Sequence, residues 1–306
     1  MAAKFGLEST SYPMVEGIQA ELPPILSIGN VVTVALALYR QHLWTYLRLA
    51  LIAHLWLLVP IYGWARFGAL AAAIAHAAVG ELMGTEPDLA HSQDHCLGRM
   101  WPLWGASVLV FLIMVGLLLP IALFVAALGG LVRIISDNAP LWLEVGLVVL
   151  LVFVGVGLLL GYVWVAFRLA VVGMPMVVEP GVGPLRGIER SVQLTGGSVL
   201  RLQGIVSVGF LVMLPFQVPV QAAVNVIQIL LFAISTLSGA LLSLLLPPFR
   251  LLLVPMTVVS FVLPALFSGA LFLPFWQTMM ATLYYDLRCR REGLTLAWPA
   301  GRDGGP

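Results

Sequence analysis

Apolar residues in this chain come in long unbroken runs, and polar residues are gathered into a few short segments. Leu202–Phe249 passes without a single charge, and the residues from 145 to 165 are apolar on every helical face. A run of about 20 apolar residues spans a bilayer as a helix. A membrane β-barrel would instead alternate apolar and polar positions in pieces of about 10 residues. Inside lipid every backbone N–H and C=O needs an internal partner. The pattern therefore predicts an all-α fold: a polytopic transmembrane helical bundle of about six spans, with eight as the alternative, plus short interfacial amphipathic helices.

In chain order, residues 1–26 read as a disordered N-terminal tail with no signal-peptide core. Residues 27–298 form a single transmembrane helical domain, and 299–306 a disordered C-terminal tail. Ser27 or Asn30 caps a short helix, VVTVALALYRQH, too short to cross and read as interfacial. Leu43–Pro60 is the first span, with Trp44, Tyr46, Tyr62 and Trp64 as its aromatic belts. Phe67–Met83 returns; it is alanine-rich and expected to pack among other helices. Met100–Val132 and Leu141–Val172 come next. Pro120 is expected to kink the former. Gly157 and Gly161 give the latter a small-xxx-small face that permits close helix approach. Leu202–Val218 crosses once. Pro215, Pro219, Pro247, Pro248 and Pro255 break the apolar run beyond it, so Gln217–Pro248 is read as a broken or re-entrant segment and Pro215–Pro255 as a cavity wall. The last helix ends in FWQTMMATLYYDLRCRR over 275–291, capped by Gly293. Leu294, Leu296 and Trp298 are expected to rest on the membrane surface.

Two polar segments interrupt this pattern. Val178–Arg201 holds five charges. Gly181 and Gly183 bracket a turn there, Pro184 opens a helix and Gly196-Gly197 closes it. Leu185, Ile188 and Val192 fall on one face of that helix. Arg186 and Arg190, four apart, emerge together on the other, where they are candidates to hold a lipid phosphate. Arg201, Arg288, Arg290 and Arg291 join them as candidate lipid or phosphate ligands. In the second segment, Gly84–Arg99, His91 and His95 stand four apart, the spacing of a shared metal on a helix. No further ligands stand at a defined spacing, so a solvated connecting helix is the favoured reading and no cofactor is expected.

Ionisable residues within spans usually face the bundle interior and pair. A hairpin turning near residue 65 would set His54 level with His76, and Arg48 level with Glu81. These two pairs are read as glue between helices, with a proton or ligand site as the alternative.

Composition sharpens one point. Of 306 residues, 61% are hydrophobic and 9% charged, far from the roughly 45–50% and 25% of soluble domains. A net charge of +1 gives no reason to expect a nucleic-acid partner. Cys96 and Cys289 read as free thiols. Basic residues concentrate in Arg168–Arg201 and Arg288–Arg291, which places both segments, and both termini, in the cytoplasm. An even number of crossings must then separate them.

Two segments resemble a bacterial membrane family. VVEPGVGPLRGIERSVQLTGG, over 177–197, is similar to that family's acidic residue, glycine turn, Arg-Ser and Leu-Thr before a glycine. LYYDLRCRREGL, over 283–294, is similar to its C-terminal tyrosine-Asp-Leu-Arg signature. Leu38-Tyr39-Arg40 is a weaker likeness. The family is the six-helix one of unknown function related to the membrane domain that some bacteria fuse to glycerophosphoryl diester phosphodiesterases. Here Arg-Gly-Ile stands where the family more often has Ala-Ile. The resemblance implies a bacterial inner-membrane protein; it carries no enzyme, because the phosphodiesterase domain is a separate barrel and this chain has no such pattern. The leading expectation is a non-enzymatic factor interacting with membrane lipids, or an envelope or assembly factor with other membrane proteins as partners. The alternative is a transporter of a small solute or lipid.

Overall fold

The computed structural model describes residues 26–85, 88–136, 140–245 and 253–293, which form helices and no strand. In chain order these are α1 (Ile28–Gln41), α2 (Leu43–Trp56), α3 (Tyr62–Leu82), α4 (Leu89–Gly98) and α5 (Met100–Ser136). They continue with α6 (Leu141–Leu169), α7 (Gly173–Val178), α8 (Pro184–Thr195), α9 (Val199–Leu245) and α10 (Leu253–Glu292). The expectations for residues 1–25, for Pro247-Pro248, for Leu294, Leu296 and Trp298, and for the tail 299–306 lie outside the described residues.

Four stretches among the described residues are long and apolar enough to cross a membrane: Met100–Ile134, Leu141–Val178, Val199–Leu241 and Val258–Glu292. They pair as two antiparallel hairpins, α5 with α6 and α9 with α10. The apolar windows of α5 and α6 bury none of their residues inside the protein. Such bare apolar walls are a solvent mismatch in water and a match in hydrocarbon.

α9 differs from the sequence expectation. It runs unbroken through Pro215 and Pro219 over 47 residues, so the predicted break beginning at Gln217 is absent as far as Leu245. A proline costs one ladder bond, and a helix with tertiary support carries that loss.

α10 also runs through two prolines. It contains Pro264 and Pro274. Three residues before each, a carbonyl accepts from a neighbouring helix: Leu271 O from the Tyr39 hydroxyl at 3.0 Å, and Phe261 O from the Gln228 amide at 3.1 Å.

α1, expected at the interface, packs one face into the bundle. Its N-cap is Ser27, whose hydroxyl accepts from Asn30 N at 3.1 Å. Val31, Val32, Val34, Ala35 and Leu38 then bury one stripe against α9 and α10. Leu26 N meets Asp286, Ala35 O meets Thr278, and Tyr39 meets Leu271. These pairs run in opposite sequence directions, so α1 lies antiparallel along the second half of α10. Leu26, assigned to the tail by sequence, is 1% exposed.

α2 has 14 residues, about 21 Å of helix, and falls short of the ~30 Å hydrocarbon core. It stops because Pro60, Ile61 and Tyr62 make a γ-turn. Ile61 adopts φ 60 and ψ −70, and Tyr62 N donates to Pro60 O at 2.7 Å, a strained conformation for a β-branched residue. Gly63 is required there, because a Cβ would stand 1.9 Å from Trp56 O. Trp44, Tyr62 and Trp64 are exposed, but Tyr46 is buried and belongs to the core rather than a belt. α3 is packed among helices as predicted, with Ala65, Ala69, Ala73, Ile74 and Ala75 wholly buried. Gly157 and Gly161 meet nothing within 4 Å, so no helix approaches closely at those positions.

Candidate functional site

The two polar segments meet. Gly181, at φ +75, turns the chain, Gly183 precedes α8, and Pro184 takes its first position. Gly196 and then Gly197, at φ +70, end it. The face α8 buries most fully is Gly187, Ser191, Leu194 and Thr195; of the expected Leu185, Ile188 and Val192, the last two are half-buried against the core and Leu185 is 73% exposed. Small and hydroxylic residues win this face because they allow close approach. Met176 sits against Gly187. The Ser191 hydroxyl donates to Arg168 O at 2.8 Å, and the Arg168 guanidinium donates back to Val192 O at 3.1 Å. An otherwise orphaned carbonyl at the end of α6 is thereby satisfied.

Glu179 and Asp286 are the two centres of the polar face. The Glu179 carboxylate accepts from Arg190 Nε at 3.1 and 3.2 Å and from the Tyr284 hydroxyl at 2.8 Å, with Arg288 Nε 4.0 Å away. Arg190 reaches on to Glu292, which also accepts from Arg288 at 2.8 Å. The Asp286 carboxylate has no side-chain exposure. It accepts from Arg201 at 3.0 and 3.2 Å, from Arg290 at 3.0 and 3.1 Å, and from Leu26 N at 3.1 Å. Arg201 and Arg290 both also donate to Leu26 O. Burial works against the Arg190 charge, but Glu179 and Glu292 outweigh it and raise the guanidinium above its ordinary range. This is a satisfied charged network, the arrangement under which charges tolerate partial burial.

Four of the six candidate phosphate-holding arginines are thus committed to carboxylates. Arg186 and Arg190 do not act as a pair: Arg190 turns inward, whereas Arg186 is exposed with no ion pair among the described residues. Arg291 is also exposed and extends its Nη2 over Gly196 and Gly197.

The paired intramembrane residues come out differently from the sequence expectation. Because the chain turns at Pro60–Tyr62 rather than near residue 65, Glu81 meets His42 at 3.1 Å, and Arg48 is exposed. The His54 ring bonds Ala50 O at 2.8 Å and packs edge-on against Phe67. His76 bonds Ser92 at 3.0 Å and stacks on His95, which stacks in turn on His91. His95 also contacts Val177 O at 3.1 Å. Among the described residues no group of three or more His, Cys, Asp or Glu side chains is placed to hold a metal ion. Cys96, on the same helix, is fully buried; burial pushes its thiol up to about 12 against the opposing pull of Arg99.

Beneath the polar face lies a cavity of about 410 Å³ between α3, α5, the α6–α7 junction and α10. Its wall is made of small and apolar residues such as Gly68, Ala72, Ala106 and Leu169, with Ser107 and Gln277 as the polar members. No described residue of the expected wall, Pro215–Pro255, lines it. Ser107 is spent on Leu103 O at 3.0 Å. The Gln277 amide forms no hydrogen bond among the described residues. Glu179, Tyr284 and Gln277 were not singled out from sequence. The signal for Gln277 was its isolation as an amide within an apolar run.

No family model, no curated protein and no solved structure matches this chain.

Proposed function

We propose that the chain is a non-enzymatic, lipid-interacting protein of a bacterial inner membrane, whose polar face is a lock between helices rather than a phosphate clamp. One observation carries the reading: Arg190, Arg201, Arg288 and Arg290 each have a carboxylate partner within the protein. Paired arginines are poor ligands for an incoming phosphate, because binding would first break the existing pair. Arg186 is left to meet anionic headgroups from the surface. The positive-inside rule puts this face in the cytoplasm. The α9–α10 hairpin supplies two crossings between the basic segments, the even number that places both on one side.

Nanodiscs of phosphatidylglycerol mixed with phosphatidylcholine test it. Native mass spectrometry of wild type should show preferential retention of the anionic lipid. Arg186→Gln should weaken that preference about fivefold, the effect of roughly 1 kcal/mol per basic residue near a membrane surface. Arg190→Gln should lower the melting temperature and leave headgroup preference intact. An unchanged preference in Arg186→Gln overturns the reading.

A further inference from the structure

We propose that the cavity below the polar face holds one acyl chain of a membrane glycerophospholipid, with the Gln277 amide bonding its ester. The inference rests on the lipid-interacting reading above and adds a defined site to it.

Three observations carry it. The cavity, at about 410 Å³, is within the ~300–1,000 Å³ of ligand sites. It is bordered by three of the stretches long and apolar enough to cross a membrane, those of α5, of α6–α7 and of α10. Its lining side chains are apolar apart from Ser107 and Gln277, and the Gln277 amide has no partner among the described residues. A polar group left unsatisfied at membrane depth costs several kcal/mol, so an occupant that bonds Gln277 is favoured over one that does not.

The chemistry of the lining selects the occupant. No charged side chain is among the lining residues. A free fatty acid would bring a carboxylate with no counter-charge, whereas an ester carbonyl is neutral and accepts readily from an amide. Gln277 lies nine residues before Asp286, about 14 Å along α10, on the acyl-chain side of the charged lock. Ser107 is on the same wall, its hydroxyl hydrogen committed to Leu103 O and its lone pairs open.

The cavity also offers a clean way to close it. A Cβ at Gly68 would meet nothing within 4 Å, so Gly68→Leu projects into the void. It also improves helix propensity in α3. Gln277→Leu keeps the volume and removes only the amide.

The experiment is photolabelling of the full chain in phosphatidylglycerol–phosphatidylcholine nanodiscs carrying a phospholipid with a diazirine in its acyl chain. Peptides are mapped by mass spectrometry. The expected result is labelling at Ala106–Val110 and Gln277–Met280 in wild type. Gly68→Leu should lose that labelling, and Gln277→Leu should reduce it about fivefold, one hydrogen bond's worth. Labelling of the outward-facing Phe111 and Phe153 should be unchanged in both. Absence of cavity label in wild type, or its persistence in Gly68→Leu, overturns the acyl-chain site. Competition by oleate as effectively as by phospholipid would also overturn it, in favour of a fatty acid. If the cavity is unlabelled while anionic lipid is still retained through Arg186, the site fails and the lipid-interacting reading stands. If no phospholipid is retained at all, both fall.

Discussion

The Tyr284 hydroxyl donates to Glu179 Oε1 across 2.8 Å, joining positions 105 residues apart. The Arg288 guanidinium stands over the same phenol ring, 5.7 Å from its centre. Through this contact the end of α10 is tied to the turn that precedes α8, and each of the two polar segments becomes half of one network.

The lock should show a graded response to substitution. Asp286→Asn removes the charge from a carboxylate with no exposure and leaves Arg201 and Arg290 facing a neutral amide. Breaking one side of a buried pair costs about 3–5 kcal/mol. Glu179→Gln should cost about 1–3 kcal/mol and Tyr284→Phe about 1 kcal/mol. Thermal denaturation in mild detergent checks the order, Asp286→Asn worst and Arg186→Gln near neutral. A destabilised Arg186→Gln would contradict the assignment of Arg186 to the surface.

Glu81 depends on His42 rather than Arg48. Glu81→Gln should destabilise by about 1–3 kcal/mol, whereas Arg48→Gln should stay within about 0.5 kcal/mol, as exposed changes usually do. Comparison of melting temperatures decides between them. Equal losses would restore the Arg48 pairing.

The Tyr39–Leu271 bond should be independent of the proline at 274. Tyr39→Phe should cost about 1 kcal/mol in the native chain. Pro274→Ala returns an N–H that faces Ala270 O, one residue before Leu271, so the cost of Tyr39→Phe should not change. A double-mutant cycle measures this directly. A coupling above about 0.5 kcal/mol would mean that the proline governs the Leu271 carbonyl.

Cys96 should be inert. Its thiol is buried and pushed up to about 12, and the thiolate is the reacting form. Maleimide at about pH 7.5 should label it only after denaturation, because the thiolate fraction there is negligible. Rapid labelling in the native protein would show that α4 opens, and with it the His76–His95 stack.

Much of the framework was legible in the sequence. Gly181, Pro184, Gly196-Gly197 and Gly293 fall at the ends of their helices where turn chemistry puts them, because a positive φ or a fixed φ is a local property. The i,i+4 pairs Asp286–Arg290 and Arg288–Glu292 came from helix periodicity alone. The alanine-rich α3 announced its own burial. The helix register across the α2–α3 hairpin was not legible. It turns on a strained Ile61 held by a tight turn, and nothing in local propensity selects that conformation.

The sequence by itself determined that the chain is helical, that it carries bilayer-length apolar stretches, and where its charged segments begin and end. Those outcomes depend on residue type, spacing and run length. Only the tertiary structure decided which charges meet. Arg186 and Arg190 share a helix, yet one faces out and the other is drawn to Glu179 and Glu292. Asp286 became the hub for Leu26, Arg201 and Arg290 only when α1 lay antiparallel along α10. A cavity with a lone amide likewise exists only between four packed elements. Pairing over 105 residues is settled by packing, because no single helix carries both partners.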